Sequence, residues 1–125
     1  MPQSHVLFVE DEDLIRLIVA EALVEAGLRV TEACNGETAL NLLQERCGFD
    51  LLLTDVHMPG RFNGIDVALH IRSLWPKVPV VFVTGRPDVL HAFGPPGPLD
   101  RCVLKPYRPT DVLAAIRSCL AWPAS

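Results

Sequence analysis

Short apolar runs alternate along this chain with longer stretches in which apolar side chains return every three or four residues. His5 to Val9, the run through Leu51, Leu52 and Leu53 to Asp55, and Pro79 to Val83 are too short for helices and predict strands buried on both faces. Leu28 to Ala33 alternates as a further strand, and Arg101 to Leu104 predicts the last. Between them lie helical patterns. Asp13 is placed to cap a first helix with Ile15, Ile18, Val19 and Ala22 on one face, stopped by Gly27. After the Asn35-Gly36 turn, Thr38 to Arg46 predicts a second helix with Ala39, Leu42 and Leu43 inward. Gly64 to Trp75 carries Ile65, Ala68, Leu69 and Arg72 at helical spacing and ends at Pro76, and Thr110 to Ala121 buries Leu113, Ile116 and Leu120.

The fourth interval breaks the rule. Arg86 to Phe93 has room for about two helical turns, but Gly94-Pro95-Pro96-Gly97-Pro98 removes backbone donors and cannot continue a helix. A fourth helix is therefore expected to be short or missing. Strand and helix alternating in this way predict an α/β fold, a five-stranded parallel sheet with helices on both faces and right-handed crossovers. No internal repeat or second domain is visible, so residues 1–125 are read as one domain with no effector attached, provided the ends are natural.

Composition narrows the classes. A chain of 125 residues can bury a core without staples. Half of it is hydrophobic, yet no apolar run approaches the roughly 18 residues of a membrane span, and the first residues lack a basic leader. The expectation is a cytoplasmic protein with no membrane partner. A net charge of -4 without clustered Lys and Arg argues against nucleic acid. Cys34, Cys47, Cys102 and Cys119 form no closely spaced pair and read as reduced small hydrophobes. His5, His57, His70 and His91 show no zinc spacing either.

Chemistry is concentrated where the apolar runs stop. In a parallel sheet the carboxyl ends of the strands share one edge, which makes neighbours of Glu10, Asp11, Asp55, Thr84 and Lys105. A carboxylate ending a buried strand is costly unless a cation meets it. Three carboxylates suit a hard divalent ion such as Mg²⁺, and Lys105 balances what remains. A carboxylate beside Mg²⁺ can attack a phosphoryl group to give an aspartyl phosphate, with Lys105, the Thr84 hydroxyl and backbone N–H groups receiving the charge spread over the phosphoryl oxygens. Plainer roles stand beside these: Glu12 and Asp13 as a solvated helix start, Thr84 as a cap for the following segment, Lys105 as a surface lysine, and His57 offering its backbone instead of its ring.

Five elements in order, Val9-Glu10-Asp11, Leu53-Thr54-Asp55, Met58-Pro59 with Gly64, Val83-Thr84-Gly85 and Lys105-Pro106-Tyr107, resemble the receiver domain of two-component response regulators along essentially the whole chain. The resemblance implies the flavodoxin-like doubly wound sheet of order 2-1-3-4-5. It implies Asp55 as phosphoacceptor from a sensor histidine kinase or histidine phosphotransfer protein. Mg²⁺ (or Mn²⁺) would be held by Asp11, Asp55 and the His57 carbonyl, with Glu10 acting through water. Lys105 would pair with Asp55 at rest and with phosphate afterwards, and the peptide before Pro106 is expected to be cis. The implied state is a monomer or weak dimer.

Three departures bear on output. The Met58 to Gly64 loop holds one residue more than usual, with Asn63 where Asp is common. Cys102 stands where the family's switch aromatic belongs, three residues before the lysine, and Tyr107 lies on the other side of it. Phe82-Val83-Thr84-Gly85 with a Pro-rich successor is similar to single-domain receivers with a Phe-x-Thr-Gly motif and a degenerate fourth helix. Thr84, Gly85, Cys102, Pro106 and Tyr107 are thus the switch or output candidates. The leading reading is a phosphoreceiver, not an enzyme in its own right, signalling by protein contact or onward phosphotransfer. The alternatives are a pseudo-receiver that is never phosphorylated, or a small phosphatase of the haloacid dehalogenase type, which would want a second acid where this chain has His57.

Overall fold

The computed structural model describes residues 3–46, 48–91 and 99–120. In chain order it contains β1 (His5–Val9), α1 (Asp13–Glu25), β2 (Arg29–Ala33), α2 (Gly36–Glu45), β3 (Leu51–Asp55), α3 (Gly64–Leu74), β4 (Val80–Thr84), α4 (Pro87–His91), β5 (Arg101–Leu104) and α5 (Pro109–Leu120). The strands form one parallel sheet in the order β2-β1-β3-β4-β5, as expected. Position in the sheet accounts for composition. The three inner strands are buried at every residue and are nearly all apolar, whereas the edge strands β2 and β5 keep exposed residues.

The pleat divides the core in two. Leu7, Val9, Leu52, Val80 and Phe82 point to one face and are covered by Ala39 and Leu43 of α2 and by Ile65, Ala68 and Ile71 of α3. Val6, Phe8, Leu51, Leu53, Val81, Val83 and Val103 point to the other, under Val19 and Leu23 of α1 and Val112 and Ile116 of α5. A fourth helix exists but has only five described residues; Phe93 and the Gly94 to Pro98 stretch lie outside the described residues, as do Cys47 and Ala121. A buried ion pair closes the far end of the sheet. Asp100, just before β5, accepts from Arg72 of α3 and from the Val80 N–H at 3.1 Å, which ties α3 to the starts of β4 and β5.

Several side chains depart from the periodic reading. Ile18 is 49% exposed and Leu69 is 63% exposed, because both helices carry apolar residues beyond the stripe that meets the sheet. In α1 that stripe runs through Val19 and Leu23, and in α3 through Ala68 and Ile71. In α5 the fully buried pair is Val112 and Ile116, while Leu113 and Leu120 pack from the flank. Asp13 is the first helical residue of α1 and makes no cap; Glu12 occupies the cap position without a side-chain bond, and Asp13 pairs with Arg16 instead. Helix α2 begins two residues early, at Gly36, since Asn35 caps it by accepting the Thr38 N–H at 2.7 Å. Cys34, Cys102 and Cys119 are free thiols, the first two exposed and the third partly buried. Among the described residues no helix is long and apolar enough to cross a membrane.

Candidate functional site

Every strand end named from the sequence arrives at the carboxyl edge of the sheet. Asp55 is 3% exposed and Glu10 only 1%. The Lys105 ammonium donates to Asp55 Oδ2 at 2.6 Å, reaching across β4 from the end of β5, and the His57 N–H donates to Oδ1 at 3.2 Å. One carboxylate oxygen of each of Glu10, Asp11 and Asp55 lies within 4.8 Å of the others. Such a set of hard oxygen donors, with neighbouring backbone carbonyls and open access beside half-exposed Asp11, fits a divalent cation of the Mg²⁺ class. His57 is exposed, and its backbone is the part engaged with Asp55.

Burial at this edge is bought by local backbone geometry. Asp55 is followed by a loop that returns to α3, where Gly64 donates its N–H to the Val56 carbonyl at 3.1 Å. A Cβ at Gly64 would overlap the Asp55 carbonyl oxygen, so only glycine lets α3 start this close to the strand end. The Thr54 hydroxyl donates to that same carbonyl at 2.9 Å. Asn63 explains its own presence. Its Oδ1 accepts from the N–H groups of Ile65 and Asp66, while Asp66 Oδ2 accepts from the Asn63 N–H, a reciprocal cap on α3.

The electrostatics are those of crowded anions relieved by one ammonium. Burial pushes the Glu10 carboxyl up from 4.5 to about 7; the nearby charge of Asp55 and a hydrogen bond with Asp11 act in the same direction, while the Glu12 N–H and Lys105 oppose it. Burial alone would lower Lys105, but its hydrogen bond and charge contact with Asp55, aided by Glu10 and Glu12, leave it raised. Tyr107 is pushed up to about 12 by burial, then by the charges of Glu10, Asp55 and Glu12. The negative field therefore extends beyond the carboxylates themselves.

The output candidates separate. Thr84 is fully buried, and its hydroxyl oxygen accepts the Arg86 N–H at 2.9 Å, so it does cap the following turn; a hydroxyl that accepts in this way still carries a proton of its own to donate. Its carbonyl accepts the Lys105 N–H at 3.0 Å, which links the two candidates through the β4–β5 ladder. Gly85 and Pro106 are exposed, and the Lys105-Pro106 peptide is cis. Cys102 lies on the edge strand and is exposed, with partial burial enough to raise its thiol above the ordinary value. Tyr107 is half-buried in an open groove of about 510 Å³, lined also by Glu12, Ile15, Ile18, Val19, Lys105 and Pro109. Arg16, whose guanidinium reaches the Glu10 carbonyl at 2.7 Å, did not stand out in the sequence; its position three residues after Asp13 was the available signal.

Comparison with known proteins agrees with the geometry. The family model described as response regulator receiver domain matches residues 6–117. The chain is 35% identical over 118 residues to the response regulator receiver protein CpdR of Brucella abortus (strain 2308), covering 94% of this chain and 97% of that one. It is 37% identical over 119 residues to the probable transcriptional regulator ycf27 of Cyanidium caldarium, covering 94% of this chain but 47% of the relative. Apart from CpdR, the chain spans about half or less of the length of such curated relatives. In structure it superposes on a response regulator receiver protein from Sinorhizobium medicae WSM419 with a TM-score of 0.87 and 96% of each chain covered; at 24% identity that likeness concerns the fold alone.

Proposed function

Because the chain belongs to the response regulator receiver domain family, a family of signalling domains, we propose that Asp55 is its phosphoacceptor and that a phosphohistidine on a sensor histidine kinase or phosphotransfer protein is the donor. The observation that carries this reading is the pairing of Asp55 with Lys105 at 2.6 Å, beside carboxylates close enough to share a cation. In the transfer a carboxylate oxygen of Asp55 forms the new O–P bond as the donor's P–N bond breaks, and the electron pair leaves with the imidazole. Lys105 then turns its ammonium from the carboxylate to the phosphoryl oxygens, where the Thr84 hydroxyl and the His57 N–H supply further donors. Asp11, Asp55 and the His57 carbonyl would hold Mg²⁺, with Glu10 acting through water, and the ion would supply positive charge to oppose the repulsion between two anions. The signal would pass on by protein contact or onward phosphotransfer, in the cytoplasm.

The test uses a small donor. Incubated with acetyl phosphate and Mg²⁺, the wild-type protein should gain one phosphoryl group by intact mass, as an acid-stable and base-labile adduct, and should gain none in EDTA. Asp55→Asn should remain unmodified. A wild-type protein without an adduct would support instead a receiver fold used only as an interaction module.

A further inference from the structure

Arg16 lies in the first turn and a half of α1, with its side chain only 17% exposed. Its polar contacts among the described residues fall on the acidic connection that follows β1, on the start of its own helix and on β2. Nη1 donates to the Glu10 carbonyl at 2.7 Å, Nη2 to Asp13 Oδ1 at 2.6 Å, and Nε lies 3.4 Å from Glu32 Oε1 near the end of β2. Its backbone N–H donates to the Glu12 carbonyl at 2.9 Å. One residue thus grips Glu10, Glu12 and Asp13, flanking Asp11 on both sides.

The consequence follows from peptide geometry. The Glu10 carbonyl belongs to the planar unit joining Glu10 to Asp11, so a bond to it fixes ψ of the first residue and φ of the second. Glu10 is otherwise held by its N–H on the Ala33 carbonyl at 3.0 Å and by its side chain, which accepts the Glu12 N–H at 3.1 Å. Without Arg16 the Glu10–Asp11 unit would lose the only bond among these that sets its plane, in a loop whose acids repel one another.

We propose that Arg16 is a positioning residue for the cation site, holding the Glu10–Asp11 peptide so that both carboxylates converge on Asp55; the inference rests on the reading of that cluster as a Mg²⁺ site. Arg16 touches none of the three carboxylates in that cluster. The sign of its effect separates position from charge. A guanidinium acting only through its charge repels a dication, so its removal would tighten binding. A positioning role predicts weaker binding, in the manner of outer residues that orient metal ligands, where a loss of about tenfold is usual.

The experiment is isothermal titration of the full chain with Mg²⁺, paired with urea unfolding in EDTA. Arg16→Ala should raise the Mg²⁺ Kd about tenfold and Arg16→Lys, which keeps the charge and one donor, by a smaller factor. Arg72→Ala is the control, because it breaks the Asp100 pair at the other end of the sheet and should destabilise the fold without changing Mg²⁺ affinity. If Arg16→Ala does not fold, the Arg16→Lys against Arg72→Ala comparison decides alone. Unchanged or tighter binding in the Arg16 variants, or equal weakening in Arg72→Ala, would overturn the positioning role. No Mg²⁺ binding by the wild type would overturn the cation reading and this inference with it.

Discussion

Replacing Glu10 by glutamine should stabilise the metal-free protein, and by an amount set by pH. The side chain is 1% exposed and sits among Asp11 and Asp55, and its carboxyl holds its proton up to about pH 7 instead of 4.5. Between those two values the folded chain keeps a proton that the unfolded chain has released, so stability falls as pH rises through that window. Above it the full cost of the buried charge is present, and below pH 4.5 it is absent. At 1.36 kcal/mol for each tenfold change in proton affinity, the cost is about 3 kcal/mol at pH 8 and under about 1 kcal/mol at pH 5. Glutamine removes the charge and keeps an oxygen for the Glu12 N–H. Urea unfolding in EDTA should therefore show Glu10→Gln more stable by about 3 kcal/mol at pH 8, a midpoint shift of roughly 2 M for a typical slope, and nearly level with wild type at pH 5. Saturating Mg²⁺ should narrow the gap at pH 8 by favouring the folded wild type. An equal gain at both pH values would mean that packing, not charge, is responsible; no gain at pH 8 would refute the reasoning.

Lys105→Ala should cost roughly 1–2 kcal/mol in the metal-free state, less than a fully buried pair because the ammonium is one-third exposed, while leaving Mg²⁺ titration intact and abolishing the conformational response to phosphorylation. A lost metal site would show instead that the lysine mainly positions Asp55. Arg72→Ala removes a guanidinium that donates to the buried Asp100 carboxylate, and thermal or urea unfolding should register a loss of about 2–3 kcal/mol. Gly64→Ala should destabilise and also slow phosphorylation by acetyl phosphate, since its Cβ displaces the Asp55 carbonyl; normal rates in a destabilised protein would separate the fold requirement from the site.

The strands and the site were legible for one shared reason. Inner strands of a parallel sheet are apolar throughout, so acids, a threonine and a lysine stand out at their ends, and topology turns five separate ends into one edge. What escaped depended on distances along no single element. Arg16 reads as an ordinary exposed helix residue until the fold sets the Glu10 carbonyl and Glu32 beside it. Asp100 pairs with a residue 28 positions earlier, which no local pattern reveals. Ile18 and Leu69 misled because helical spacing marks an apolar stripe but not its width, and in each case a neighbouring position meets the sheet. Asp13 fits the composition of a cap, yet its partner is the guanidinium of Arg16.

The claim at the centre of the account is that Asp55, not one of the acids crowded against it, carries the phosphoryl group. Borohydride reduces an aspartyl phosphate to homoserine and leaves free carboxylates unchanged, so the position of the modified residue can be read from peptide mass spectra. After acetyl phosphate and Mg²⁺, the account predicts homoserine at position 55 and unaltered Glu10 and Asp11. Reduction at Asp11 or Glu10, or an intact Asp55 in protein that has gained phosphate, would contradict it.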